Sequence, residues 1–174
     1  MKNFLTLSFV FFLIYSNVNI TAQKVKNSSS DSHFVLNSEK PKFQITFPCK
    51  FNTEENNTKN GLKSGLYRCV KSEDVFMLKF TEHNNPAVSS DNKVYTDAAL
   101  ESFTAGIHAA LIKKYAFKEK KLKGLEAFMK IADKNLYVFY RLIIYKQVQY
   151  QVIIITKSNT KTDEINNFFN SFKI

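Results

Sequence analysis

The chain holds few residues whose type and spacing could support catalysis or metal binding. Its three histidines are His33, His83 and His108. Glu101 and His108 fall on one face of a predicted helix, but their two-turn separation of about 10 Å is too large for both to bind one metal ion without further ligands. The sequence has no H-x-x-x-H, E-x-x-H or G-x-S-x-G motif. We therefore predict that the protein has no metal site, no cofactor and no enzymatic activity.

One stretch of the chain is strongly basic. Six lysines fall within the eleven positions from 113 to 123, together with Tyr115 and Phe117. These lysines are Lys113, Lys114, Lys118, Lys120, Lys121 and Lys123. They could present a basic surface to an acidic polymer or a lipid surface. Alternatively, they complement the dipole at a helix C-terminus and discourage pairing at an edge strand, which is the interpretation we favour.

The overall charge is also basic. The net charge is +10, and Lys2 is the only charged residue among the first 22. Such a charge favours acidic partners. However, Arg68 and Arg141 are the only arginines, whereas nucleic-acid readers usually exploit the planar guanidinium. We therefore expect no nucleic-acid partner.

The N-terminus has the pattern of a secretory signal peptide. Lys2 precedes an apolar run over residues 4–15 that is too short to span a bilayer, and a small residue, Ala22, stands at the expected cleavage site. We predict cleavage near Ala22 and a secreted or periplasmic protein. The domain boundaries then follow as a signal peptide over residues 1–22, a flexible lead-in over 23–41 and one α+β domain over 42–174.

Two cysteines, Cys49 and Cys69, lie in the mature part of the chain. An even cysteine count in an exported chain favours one disulfide, which would stabilise the fold by roughly 3 kcal/mol. The alternative is a pair of buried free thiols.

Apolar alternation predicts about six strands. They span approximately residues 43–47, 62–71, 75–81, 125–132, 136–145 and 148–156. The strand at 136–145 is apolar at nearly every position, so we expect both of its faces to be covered. A polar loop is predicted over residues 52–60, and the lead-in could include a short edge strand around Phe34.

Two helices complete the prediction. Apolar residues at helical spacing indicate a long helix over residues 97–114, followed by an extended piece over 117–123. A second helix begins near Thr162, with Asp163 and Glu164 in its first turn, and buries four apolar residues. These are Ile165, Phe168, Phe169 and Phe172. Ser171 is expected to be a small packing residue among them.

The ordered set of elements resembles the PsbP-like fold, an α/β/α sandwich shared by many small secreted bacterial proteins. The matching pieces are an opening F-x-I-x-F-P strand, a long middle helix, a glycine leading into strands, a Tyr-Gln-Val element and a terminal F-F-x-S-F helix. They fall at 43–48, 97–114, 124–128, 150–152 and 168–172. The resemblance implies a mostly antiparallel sheet with both helices packed on it, and a non-enzymatic binding or assembly role.

Three hypotheses follow for function. The first is a non-catalytic module that binds an envelope or extracellular protein partner. The second is a basic polyanion or membrane-surface binder. The third is a hydrophobic-ligand carrier with a pocket between a helix and the phenylalanine-rich sheet.

Overall fold

The computed structural model describes residues 33–57 and 61–174 of the chain. The predicted signal peptide lies outside these residues. The strands are β1 (Phe34–Glu39), β2 (Lys42–Phe47), β3 (Asn52–Asn57), β4 (Lys63–Lys71), β5 (Asp74–Glu82), β6 (Ala110–Glu119), β7 (Leu122–Ile131), β8 (Leu136–Tyr145) and β9 (Val148–Thr156). The helices are α1 (Lys93–Gly106) and α2 (Asp163–Ser171), and a short 3-10 turn spans Ala132–Lys134. No helix in the described part of the chain is long and apolar enough to cross a membrane.

Seven strands form one antiparallel sheet in the order β3-β4-β5-β9-β8-β7-β6. The other two, β1 and β2, pair with each other as a separate antiparallel ribbon. The α+β fold class and the mostly antiparallel sheet are therefore confirmed. The structure has more strands than the six predicted, because three strands lack a clear apolar alternation in their sequence.

The two faces of the large sheet are covered by different elements. One face, here called the α2 face, packs against α2 and the β1–β2 ribbon, and it includes Phe76, Phe139 and Val152. The opposite face, the α1 face, packs against α1. Because successive strand residues point to opposite faces, β8 buries side chains on both. The prediction that both faces of this strand are covered is confirmed.

Aromatic side chains fill the space between α2 and the sheet. Phe168 of α2 lies with its ring centroid 5.1 Å from that of Phe47 and 5.3 Å from that of Phe76. The hydroxyl of Thr162 accepts a hydrogen bond from the main-chain N–H of Ile165 and so caps the helix. The predicted apolar stripe of α2 is buried as expected.

The first helix differs from the prediction. It ends at Gly106 rather than Lys114, and it begins at Lys93, after the capping side chain of Asn92. His108 adopts a left-handed conformation with φ of 52°. The N–H of Ala109 then bonds to the carbonyl of Thr104, which is the main-chain pattern of a Schellman C-cap. The chain continues directly into β6, which takes residues 110–114 from the predicted helix.

Two further segments form strands where the sequence predicted loop or lead-in. Residues 52–57 of the predicted polar loop form β3, which is exposed along its whole length and pairs with β4. Within the predicted lead-in, β1 pairs with β2 and buries Leu36. Residues 34–39 of the predicted lead-in therefore belong to a strand of the fold.

A disulfide joins the two sheets. Cys49 follows β2 and Cys69 lies in β4, and their sulfur atoms are 2.06 Å apart with a Cα–Cα distance of 5.9 Å. The predicted pairing is therefore present. It links the β1–β2 ribbon to the large sheet.

Candidate functional site

The basic stretch of the sequence forms a hairpin at one edge of the large sheet. It consists of β6, the turn at Lys120 and Lys121, and β7, and is called the β6–β7 hairpin below. β6 pairs with β7 along its length, with one register irregularity between Leu111 and Lys113. Because β6 is the last strand in the sheet order, its outer main-chain edge has no neighbouring strand among the described residues.

β6 is far more exposed than β7, the strand beside it. Phe117 is its only residue that is not exposed. Leu111, Ile112 and Tyr115 keep 47%, 46% and 47% of their surface in contact with solvent. The reason is that α1 lies over the sheet farther inward, where Phe103 stacks on Tyr140 with ring centroids 4.5 Å apart. The edge strand therefore projects beyond both covering layers.

The six lysines of the basic stretch separate into two groups. Lys114 and Lys123 form ion pairs with Asp97 and Asp91, at 2.8 Å and 3.0 Å. Through its hydrogen bond, Lys114 lowers the pKa of Asp97. These two lysines therefore tie the hairpin to α1 and to the loop before it.

The other four lysines have no ion-pair partner among the described residues. They are Lys113, Lys118, Lys120 and Lys121. The antiparallel register sets Lys118 opposite Lys123, next to the turn that carries Lys120 and Lys121. A cluster of cations therefore forms at the turn. The prediction of a helix end at Lys113 and Lys114 is wrong, because both residues lie within β6.

Beneath the hairpin lies a buried ionic cluster that the sequence analysis did not identify. Arg141 of β8 donates from Nε to Glu126 Oε1 at 2.7 Å and from a terminal nitrogen to the carbonyl of Phe169 at 2.9 Å. Lys161 lies 3.0 Å from the second carboxylate oxygen of Glu126. Burial alone would raise the pKa of Glu126, but the two cations together hold it below its usual range. The cluster is internally paired and anchors the end of α2 to the sheet.

Aromatic rings enclose the cation of this cluster. The Arg141 guanidinium carbon lies 4.2 Å from the centroid of the Phe117 ring and 4.9 Å from that of Phe169. Phe117 thus contacts the interior on the α2 face, where Tyr115 of the same strand also hydrogen-bonds with Glu126. One charge in the otherwise apolar strand at 136–145 is the sequence signal that could have identified this cluster, because a buried charge requires a partner.

The three histidines lie in different parts of the chain, each outside a helix or strand. His33 precedes β1, and His108 lies beyond the end of α1, so the predicted helical face shared by Glu101 and His108 does not form. His83 is half-buried, and its Nε2 lies 3.4 Å from the hydroxyl of Tyr95. Burial lowers the pKa of His83. Within residues 33–57 and 61–174, no group of three or more His, Cys, Asp or Glu side chains is placed to hold a metal ion.

Ser171 has a more specific role than the packing predicted for it. Its hydroxyl accepts a hydrogen bond from the N–H of Thr46 at 3.0 Å and donates one to the carbonyl of Phe168 at 2.7 Å. It thereby joins the end of α2 to β2.

A solvent-open cleft of about 290 Å³ lies beside Ser171. It is lined by His33, Thr46, Pro48, Glu164, Asn167, Phe168 and Ser171.

A central antiparallel sheet, with one helix on one face and a second helix with a ribbon on the other, defines a PsbP-like α/β sandwich. Among solved structures, the chain is similar to the solution structure of cyanobacterial PsbP (CyanoP) from Synechocystis sp. PCC 6803. The TM-score is 0.63, with 10% sequence identity over 87% of this chain and 98% of that chain. The predicted PsbP-like fold is therefore confirmed. No protein-family model and no curated protein matches the sequence.

Proposed function

We propose that the protein is an exported, non-catalytic binding module that holds an envelope or extracellular protein partner on its β6–β7 hairpin. The observation that carries this proposal is the exposure of β6. Three large apolar side chains on one edge strand each keep nearly half of their surface in water. Exposed large apolar side chains close to unpaired charges are found at interaction sites.

Export is supported by two independent features. The leader pattern at residues 1–22 is that of a signal peptide. The disulfide between Cys49 and Cys69 fits an oxidising compartment, because cytosolic proteins rarely keep structural disulfides. Cell fractionation and N-terminal sequencing test this part. We expect the mature protein outside the cytoplasm, starting at Gln23, and recovery from the cytosol with Met1 retained would contradict it.

The binding surface is tested by comparing matched variants of the tagged protein. Leu111→Ser combined with Tyr115→Ser removes apolar surface from β6, while Val94→Ser removes an apolar side chain that is 81% exposed on α1. Each protein is used to retain partners from the native envelope fraction, and the retained partner is then purified and titrated. We expect the hairpin variant to lose about tenfold in affinity and the α1 variant to bind normally. Equal binding by the wild type, the hairpin variant and the α1 variant would contradict the proposal.

A second candidate is a polyanion or membrane-surface binder. The observation that favours it is the cluster of lysines at the hairpin turn that lack an ion-pair partner among the described residues. Retention on heparin or anionic vesicles should then fall steeply with salt. It should also disappear when Lys118, Lys120 and Lys121 are changed to glutamine. Retention that is independent of salt would contradict this candidate.

A further inference from the structure

Building on the proposed function, we infer that β6 binds its partner by strand addition, and that the partner contributes an extended segment of alternating acidic and apolar residues. The segment pairs antiparallel with the regular part of β6, Lys113–Glu119, and becomes an eighth strand of the large sheet. Main-chain hydrogen bonds then provide affinity, and the alternating side chains provide specificity.

The first support is the contrast between the two edges of the sheet. The opposite edge strand, β3, reads NTEENN and is exposed at every residue, but it carries no apolar side chain. That is a protected edge, because polar and charged residues discourage pairing with another chain. β6 is longer, with ten residues, and carries the exposed apolar side chains of Leu111, Ile112 and Tyr115. Protection alone does not explain why apolar side chains are exposed there.

The second support is the distribution of side chains between the two faces of β6. Because strand residues alternate, Lys114, Ala116 and Lys118 share the α1 face, whereas Lys113, Tyr115 and Phe117 share the α2 face. The contacts agree with this assignment, since Lys114 reaches Asp97 on α1 and Phe117 stacks on Arg141. A strand added beside β6 therefore meets Lys118 on the α1 face, where Lys114 is already paired with Asp97, and aromatic rings next to Lys113 on the α2 face. Its best complement alternates carboxylates with apolar residues.

The third support is that the charge of β6 disfavours a second copy of this chain in the same position. Antiparallel pairing of two β6 strands would bring lysines of one copy near lysines of the other, and like charges on facing strands are destabilising. Lys113 and Lys118 have no ion-pair partner among the described residues, so they remain available to carboxylates of another chain. Lys113 and Lys118 thus disfavour pairing with a second copy of this chain and favour pairing with an acidic segment.

The test uses the purified, isotopically labelled protein and two synthetic peptides of the same length as β6. One peptide alternates glutamate with valine, and the other alternates glutamate with proline, which keeps the charge but cannot form a strand. Binding is followed by NMR at low salt, together with amide hydrogen exchange. We expect the Glu-Val peptide to bind at least about tenfold more tightly than the Glu-Pro peptide. We also expect exchange to slow at those amides of β6 that point away from β7.

Matched lysine variants distinguish binding at β6 from a general attraction of the acidic peptide to the positively charged protein. Lys113→Gln with Lys118→Gln should weaken Glu-Val binding about tenfold. Lys134→Gln with Lys173→Gln, which removes the same charge elsewhere, should leave it unchanged. Equal binding of the two peptides, protection outside β6, self-association through β6 or no binding at millimolar peptide would each overturn the inference.

The outcomes also distinguish this inference from the function on which it rests. If the envelope partner still depends on Leu111 and Tyr115 but β6 gains no amide protection from the Glu-Val peptide, strand addition is wrong and the binding module stands. If neither the partner nor the peptide depends on the hairpin, both are wrong.

Discussion

The guanidinium of Arg141 lies 4.2 Å from the ring centroid of Phe117, so a buried cation supports the exposed edge strand β6. The same guanidinium pairs with Glu126 on β7, the neighbouring strand. The ionic cluster and the hairpin are therefore parts of one structure. We therefore expect the ion pair between Arg141 and Glu126 to stabilise the packing of Phe117, while the outer main-chain edge of β6 remains without a neighbouring strand among the described residues.

Replacement of Glu126 by glutamine should destabilise the protein by about 3 kcal/mol at neutral pH, because it leaves Arg141 and Lys161 without their carboxylate. Urea unfolding measures this loss. Glu73→Gln is the matched control, since its ion pair with Lys157 is exposed on both sides and should contribute less than about 1 kcal/mol. A loss in Glu126→Gln no larger than that of the control would contradict the expectation.

The same variant should show a defined pH dependence. The pKa of Glu126 is depressed in the folded state, so its charged form contributes stability that is fully present above the unfolded value of about 4.3. That contribution is lost as the pH falls through the lower folded pKa. The stability difference between wild type and Glu126→Gln should therefore shrink as the pH is lowered from about 7 to about 3. A difference that is constant over this range would contradict the role of the charge.

Reduction or removal of the disulfide should lower the free energy of unfolding by about 3 kcal/mol. Cys49→Ala combined with Cys69→Ala tests this by urea unfolding, compared with wild type under oxidising and reducing conditions. The double variant should match reduced wild type and should not respond to reductant. If reductant leaves wild type unchanged while the thiols are shown to be free, the expected contribution is wrong.

Gly124 in β7 should not tolerate a side chain. A Cβ added there would lie 1.8 Å from the carbonyl oxygen of Leu142 in the adjacent strand, so the main chains would have to separate. We expect Gly124→Ala to cost about 3 kcal/mol in thermal or urea unfolding. Gly106→Ala, where the added Cβ meets nothing within 4 Å, is the control and should be neutral or slightly stabilising. Equal effects of the two changes would contradict the close contact.

His108 should accept glycine with a gain in stability. Its φ of 52° is a conformation that glycine adopts without steric cost. We expect His108→Gly to raise the free energy of unfolding by up to about 1 kcal/mol, and His108→Val to lower it, because a β-branched residue is disfavoured there. Thermal unfolding of the two variants gives the comparison. Effects of the same sign would contradict the assigned C-cap.

The parts of the fold that were predicted correctly are those with strong apolar patterning. The alternation in β5 and the stripe in α2 indicated both the type of element and the buried side. In contrast, β3 has no apolar residue, so its pairing with β4 leaves no periodic signal. The end of α1 was missed because a histidine occupies the left-handed position where glycine is the usual signal.

The candidate site was predicted only in part. The sequence identified the six lysines, but it could not show that Lys114 and Lys123 are paired with acids from a distant part of the chain. It also placed Leu111 within the helix predicted over residues 97–114, whereas Leu111 lies on the exposed strand β6. Which lysines stay unpaired, and which apolar residues stay exposed, depends on the position of β6 beyond the layers that cover the sheet.

The bond between Cys49 and Cys69 also determines how the protein responds to a protease. A single cleavage anywhere between these cysteines would divide the polypeptide, yet the two fragments would remain covalently joined. The nicked molecule would migrate as one species in a non-reducing gel and separate into two after reduction. A cleavage between the two cysteines therefore leaves the β1–β2 ribbon covalently attached to the large sheet.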